Sequence, residues 1–526
     1  MAGTAEIQEI ADVVVVGFGA AGACAAIEAA ERGADVLVID RFAGGGASAL
    51  SGGVVYAGGG TPQQREAGVD DSVEAMYEYL RREVGDVVSP ETLRRFCEGS
   101  PELIGWLERH GVPFEGSLCP VKTSYPSNDH YLYYSGSEAA GAFRDVAKPA
   151  PRGHRVKGSG TSGKVLFSRL ASSARKAGVR LLPQTKGVEL IIESGAVKGL
   201  TARTLRGAPR RVRWAHRVLA RYAAKPGLYV PALRKLLERR VVALEREHGA
   251  PVTVRARRGV VLAAGGFIAN RAMVREHAPA YRGGLALGTA GDDGSGIAMG
   301  VAAGGATAEL DRISAWRFLT PPSVFIGGVL VNERGERFID ESRYGAAIGE
   351  AMITGQGARA WLLVDDAIVR AARKGARAES QWFQWLQALY LLRRGRVSGS
   401  SAEEAAAKAG IDPGGLARTV AAYRNGDADP FGKPEEFRAP LDTPPFSLID
   451  LTIKPNIGYP CPMLTLGGLV VGEDAGQVLA ADGAAVPGLY AAGRSAVGIC
   501  SRSYVSGLSL ADCVFSGRRA GAAVSA

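Results

Sequence analysis

The sequence predicts an α/β protein: a parallel, doubly wound domain interrupted by an α+β domain. Three observations predict it. The chain opens on an apolar, β-branched run that leads through a glycine-rich turn into a helix of small residues. A long central stretch has a different texture, and the last hundred residues return to the glycine-rich style of the first. At 526 residues the chain is too long for one core. With 46% hydrophobic, 22% charged and 7% aromatic residues it has an ordinary globular composition, which excludes disordered and fibrous classes. Its 71 glycines follow no short period, so they point to close backbone approach to a ligand.

Asp12 to Val16 (DVVVV) is a continuous apolar run, as a parallel strand buried on both faces requires. Gly17, Gly19 and Gly22 follow in GFGAAG, with Ala20 and Ala21 between the last two. Next come a small-residue helix and a second strand, ADVLVID, that ends at Asp40, with Arg41 directly after it as a further candidate for the cofactor. Gly17 suits the tight turn, Gly19 the approach of backbone to a pyrophosphate, and Gly22 close helix–strand packing. The acid at the end of the second strand suits a ribose hydroxyl. Set between strand and helix, this is a dinucleotide-binding fingerprint of Rossmann type. The loop GGGASALSGG, Gly44 to Gly53, follows directly. Its Gly46, Ala47, Ser48, Ser51, Gly52 and Gly53 offer backbone N–H groups and hydroxyls to phosphate and to a flat ring.

Residues 80 to 115 and Leu166 to Gly178 read as helical, and Val179–Leu182, Gly187–Ile192 and Ala196–Arg203 as strands. A basic block comes next. Arg203 to Arg258 holds sixteen Lys or Arg against three acids, so it outweighs the whole chain's formal charge of +10 and leaves the remainder slightly acidic. Within it, Pro231 to Gly249 carries Leu233, Leu237, Val241 and Leu244 at helical spacing. Two readings stand: a solvated amphipathic helix packed on its own domain, or a peripheral contact with an anionic membrane. Nucleic acid is not expected, because only Trp214, Tyr222 and Tyr229 are available for stacking and none falls in the helical part.

Arg257 to Phe267 reads as a buried strand ending in glycines. The first domain is therefore expected over 1–277, with a basic insertion at about 204–256. The interrupting domain is expected over 278–433, and the return of the first domain over 434–526. Six scattered cysteines without CxxC spacing, and six histidines without paired spacing, predict neither disulfides nor a metal site. The N-terminus MAGTAEIQEIAD has no basic or apolar leader pattern, and no apolar run reaches 18 residues. A cytoplasmic chain is expected, with membrane association only through the basic insertion.

VVVVGFGAAG, GGASALSGG, VVLAAGGF, GDDGSGIAMG, GGVLVNERGERFIDE and PGLYAAG, in that order over nearly the whole chain, resemble the fumarate reductase and succinate dehydrogenase flavoproteins. The resemblance implies a Rossmann-like FAD-binding domain interrupted by an α+β capping (catalytic) domain, with catalysis at their seam. It assigns Val188, Ala264, Gly265, Gly493 and Arg494 to the cofactor. It also sets the N-terminus of the last helix, Leu508, Ser509 and Leu510, toward the flavin. No histidine lies between Asp40 and Gly60, so FAD is expected noncovalently bound. No CxxCH or cysteine cluster encodes an electron relay. No second fingerprint serves NAD(P)H, so electrons are expected to leave to an external acceptor.

The family's dicarboxylate-binding His is replaced in Leu464–Thr465–Leu466–Gly467–Gly468, and Arg337–Phe338 leads through Asp340 and Glu341 to Arg343 and Tyr344. Tyr504–Val505–Ser506–Gly507 is similar to the 3-ketosteroid Δ4-(5α)-dehydrogenase branch. That similarity implies a small apolar substrate, a 3-ketosteroid, with Tyr504 on its C3 oxygen, Ser506 taking the C4 proton and Tyr344 assisting. The Tyr-Pro-Gly of Δ1-dehydrogenases is absent. Ser506 as a helix cap, Tyr504 or Tyr344 as ordinary packing or surface residues, and Tyr131, Tyr133 and Tyr134 as pocket lining or core are the competing readings. A Δ1-dehydrogenase, a reductase of another enone or unsaturated acid, and a noncatalytic flavin or basic binding module are the alternatives.

Overall fold

The computed structural model describes residues 7–426 and 428–526. Residues 1–6, part of the segment read above for a leader pattern, and Asp427 lie outside the described residues. The first strand, β1 (Ile7–Val16), begins five residues before the apolar run that announces it, because its polar first half pairs with a later strand. Val13, Val14 and Val15 are fully buried, each contributing roughly 1.5–3 kcal/mol. Helix α1 (Ala20–Glu31) and strand β2 (Val36–Asp40) complete the first crossover, and β2 lies parallel to β1.

The short helix α2 (Gly46–Leu50) turns within the second glycine loop, and α3 (Gly163–Lys176) packs beside it. Strands β3 (Arg180–Pro183), β4 (Thr185–Glu193) and β5 (Ala196–Thr204) follow, then helices α4 (Arg210–Ala224) and α5 (Pro231–His248), then the long strand β6 (Ala250–Leu262). β5 and β6 form an antiparallel pair, Thr204 opposite Ala250, so the basic block is a helical hairpin set into a strand connection. Helix α5 falls where the spacing of Leu233, Val241 and Leu244 predicts it. Helix α4 is not visible in that pattern, and it carries Trp214 and Tyr222, so the expectation that these aromatics lie off the helices is corrected. The segment 80–115 resolves into three helices, Val73–Val84, Pro90–Glu98 and Ser100–Arg109, the latter two with Pro in the first turn.

The main sheet runs β7 (Gln477–Leu479), β8 (Ala485–Ala491), β6, β1, β2, β3, with β4 and β5 branching from β6. A second core surrounds a four-stranded antiparallel sheet of Val329–Val331, Trp361–Val364, Phe446–Asp450 and Arg396–Gly399, with helix α6 (Gly345–Gly355) beside it. Phe446–Asp450, beyond the expected boundary at 433, pairs into this cap sheet.

The terminal helix α7 (Leu508–Ser525) is pressed on α1 through two glycines. A Cβ on Gly517 would lie 2.5 Å from Ala21 O, and one on Gly521 2.3 Å from Ala25 O. This close approach fixes the start of α7 relative to the glycine fingerprint.

Candidate active site

A cavity of about 430 Å³ opens along the fingerprint, between α1, the second glycine loop, β4, the α4–α5 hairpin and the 289–292 loop. Gly17 has φ +99°, and a Cβ there would strike Ala263 O at 2.6 Å, so only glycine serves that turn. A Cβ on Gly22 would sit 1.9 Å from Gly17 O, which is the tight helix–strand packing the motif predicts. Ala20, Ala21, Asp40, Gly46, Ala47, Ser48, Ala264 and Gly265 line the cavity with Gly17 and Gly19. Arg494 lines it too, and its Nη1 is buried without a partner while Nη2 is held by Asp292.

Asp40, expected on a ribose, accepts from the N–H groups of Phe18 (2.9 Å), Phe42 (2.8 Å) and Gly44 (3.1 Å), and so draws the two glycine loops together. Arg41 also lines the cavity, but Glu245, Asp293 and the carbonyl of Ala290 hold its guanidinium. Ser48 Oγ accepts from Ala20 N at 3.0 Å. Ser51 Oγ donates to Ser48 O and accepts from Gly53 N, while Gly52 O accepts from Tyr125, so these residues shape the loop from outside the cavity. Gly493 packs its backbone on α1 and α7, where a Cβ would lie 2.7 Å from Ala21 Cβ. Val188 sits at a bulge of β4 with its side chain exposed in a neighbouring groove.

The second half of the site lies ahead of α7. Gly507, with φ +93°, caps the helix, and Ser506 does not: no side chain caps this terminus. Ser506 N donates to Ser135 O and Ser135 Oγ to Ser506 O, both at 3.1 Å, so the segment is clamped to the strand–turn at Leu132–Ser135. That clamp brings Tyr133 Oη to 3.1 Å from Ser506 Oγ. Tyr344 comes from the cap, where it precedes α6, and its N–H donates to Ser137 Oγ at 3.1 Å. Its phenol is buried, and the Ser506 hydroxyl nearby only partly offsets the rise in pKa that burial imposes. Tyr504 stacks on Trp316 at 5.2 Å between centroids and lies 6.3 Å from the Tyr344 ring, and Phe318, in contact with both Trp316 and Tyr344, closes the cluster.

All three phenols are buried, and burial raises their pKa values far enough to keep them protonated at neutral pH. They are therefore hydrogen-bond donors. For Tyr504, the neighbouring Gly507 N–H opposes that rise without reversing it. Leu464 and Leu466 are buried in the same apolar core as Tyr504 and Tyr344. A narrow cleft of about 10 Å³ lies beside Tyr504, lined by Leu466, Ile313 and Ala346 and also by Arg312, Glu350 and Arg502.

The structure thus brings together Tyr504, Ser506 and Tyr344 from the expected set. It adds Tyr133, which sequence reasoning left between core and pocket, and the aromatic partners Trp316 and Phe318. Arg502 pairs with Asp86 at the surface. Cys461 and Cys500 are buried with raised pKa values, so neither is a reactive thiolate.

A dinucleotide cavity along a fingerprint helix, in a chain whose second core forms an interrupting cap, defines a flavoprotein of the capped oxidoreductase type. Residues 12–507 match the FAD binding domain family model. The chain belongs to that family, and its cofactor is FAD. It is 41% identical over 508 residues to a 3-oxo-5-alpha-steroid 4-dehydrogenase of Comamonas testosteroni, with 93% of each chain covered. It is 28% identical over 555 residues to a 3-oxosteroid 1-dehydrogenase of Mycobacterium tuberculosis, with 95% of each covered. The 3-ketosteroid-delta4-(5alpha)-dehydrogenase of Rhodococcus jostii RHA1, solved with 4-androstene-3,17-dione, superimposes with a TM-score of 0.83 at 35% identity, covering 100% of this chain and 98% of that one.

Proposed function

We propose that this protein is an FAD-dependent dehydrogenase that introduces a C4–C5 double bond into a 3-keto-5α-steroid. The observation that carries the proposal is the hydroxyl cluster of Ser506, Tyr133 and Tyr344 beside the phenol of Tyr504. The similarity to Δ4 enzymes over nearly the whole chain supports it. Loss of two hydrogens next to a ketone needs a donor to the carbonyl oxygen, an acceptor for the α-proton and an acceptor for the β-hydride. Tyr504, protonated in a dry site, is the donor that stabilises charge developing on the C3 oxygen. Ser506 takes the C4 proton as it hands its own to Tyr344, and Tyr344 releases its phenolic proton to solvent in the same relay, since a serine hydroxyl alone is too weak a base. Tyr133 holds the Ser506 oxygen and offers it a second hydrogen bond as charge develops. The bound flavin supplies the acceptor for the C5 hydride.

The substrate cannot occupy the narrow cleft in this arrangement, so in this reading the cap moves away from Tyr504 to admit it. Electrons then pass to an acceptor outside the chain, in the cytoplasm. No helix among the described residues is long and apolar enough to cross a membrane. The exposed Trp214, Leu236 and Val242 among the basic residues of the insertion support a peripheral contact with an anionic bilayer.

Anaerobic mixing with a 5α-saturated 3-ketosteroid tests the assignment. The flavin absorption should bleach, and the product should carry its new double bond at C4–C5. Bleaching only by a dicarboxylate or another enone precursor would refute it.

A further inference from the structure

The basic block is the feature that the desaturation chemistry leaves unused, and the fold gives it a location. Its two helices do not stand free. Helix α4 presents His216, Ala220 and Ala224, each four residues apart, to the FAD cavity, and α5 presents Val241. Arg217 and Arg221 lie on the same side of α4 and also line the cavity. The same cavity is lined by Asp40, Phe42 and Gly187, and His216 stacks on Phe42, so the hairpin meets it on the side where the second strand ends. In a dinucleotide fold that is the adenosine side.

Charge separates these two arginines from their neighbours. Arg41 is held by Glu245 and Asp293, and Arg234 by Glu238. Arg217 and Arg221 have no acidic partner among the described residues, although Glu238 lines the same cavity. Two unpaired guanidinium groups beside a site for an anionic dinucleotide are complementary to it. The small side chains of Ala220 and Ala224 leave room for a ligand against the helix.

The hairpin is fastened to the cavity's other walls. Glu245 accepts two hydrogen bonds from Arg41, at 2.9 and 3.0 Å, and a third from His216 Nε2 at 3.1 Å. Gln184 donates to His216 Nδ1 at 3.0 Å and to Arg213 O at 2.9 Å, which leaves His216 its Nε2 proton for Glu245. Phe42 stacks on His216 at 5.9 Å. Arg234 Nη1 donates to Ala286 O at 3.0 Å. Burial would raise the Glu245 pKa, but the bonds from His216 and Arg41 prevail and hold it at about 2.

We propose that the α4–α5 hairpin is a lid over the adenosine end of the FAD site, with Arg217 and Arg221 as its contacts to the anionic cofactor and Glu245 as its latch to Arg41. The proposal rests on FAD as cofactor and is independent of the steroid assignment. A failure of one leaves the other standing.

The test measures release of FAD from diluted holoenzyme by its fluorescence, at several salt concentrations, for wild type, R217A/R221A, R217K/R221K and E245Q. Release from R217A/R221A should be at least tenfold faster, with a flatter salt dependence, and the lysine pair should restore most of the wild-type hold. E245Q should also release faster. Hydrogen exchange gives a second readout on unaltered protein: α4 and α5 should be better protected in holoenzyme than after FAD is stripped. Unchanged release from R217A/R221A with native helical content would overturn the proposal, as would equal exchange of the hairpin with and without FAD. Unchanged release with lost binding to phosphatidylserine vesicles would overturn it too, and would give these arginines to a membrane.

Discussion

Ser506 Oγ lies 3.1 Å from Tyr133 Oη, a contact that joins residues 373 positions apart in the chain. Its neighbour Gly507, not Ser506, caps the terminal helix, so the serine hydroxyl has no structural duty at that terminus. Replacing Ser506 with alanine should therefore lower kcat by about 10²–10⁴, the usual contribution of a proton-transfer group. FAD content and Tm should stay near wild type. Rapid-mixing kinetics beside a thermal melt separate the two effects.

Tyr504→Phe keeps the stack on Trp316 and removes only the phenolic donor. Steady-state kinetics should show kcat down by about 10²–10³, as for loss of one oxyanion donor. Substrate affinity should change far less, because the apolar core that holds Leu464 and Leu466 is untouched.

Tyr344 and Tyr133 should differ in what they do for Ser506. Tyr344→Phe breaks the path by which the proton leaves Ser506 and should lower kcat by more than tenfold and alter its pH profile. Tyr133→Phe removes one hydrogen bond and should lower kcat about tenfold with the profile's shape retained. Equal losses with equal profiles would show that Tyr344 is no relay.

Much of the frame was legible in the sequence, and the reasons are local. Val13–Val16, Gly17 and Gly22 announce a buried strand, a turn with positive φ and a close helix contact, each imposed by residues next to one another. Helix α5 was legible from its leucine and valine spacing, whereas the buried stripe of α4 runs through Val212, His216 and Ala223, where a histidine and an alanine stand in place of large apolar side chains. Tyr504 and Ser506 stand two apart in one segment and could be read as a pair. Tyr133 could not, since its role exists only once Ser135 clamps Ser506 to a distant strand–turn. Nor could the committed state of Arg41, which is set by Glu245 on the inserted hairpin.

Gly507→Ala should damage fold and site together. Its φ of +93° is strained for any other residue, and a Cβ would meet Tyr56 N at 2.7 Å. Differential scanning calorimetry should show a loss of roughly 1–3 kcal/mol or more, with activity falling further than stability because Ser506 precedes it directly.

His154 sets a pH dependence of stability. It is buried between Thr61 Oγ1 (2.7 Å) and Arg152 O (3.0 Å), and burial lowers its pKa from 6.5 to about 4. Below 6.5 the unfolded chain takes up a proton that the folded chain refuses. This contribution is therefore complete above pH 6.5 and is lost as pH falls toward 4, by up to about 3 kcal/mol. Chemical denaturation at pH 7 and pH 4.5 should show a smaller difference for His154→Gln than for wild type.

Single-turnover flavin bleaching with substrate deuterated at C4 tests most directly that Ser506 removes the C4 proton. Deuterium at C4 should slow bleaching in the wild type, and Ser506→Ala should bleach at least a hundredfold more slowly with either substrate. Bleaching insensitive to deuterium at C4 but slowed by deuterium at C1 or C2, with Ser506→Ala as fast as wild type, would contradict the account.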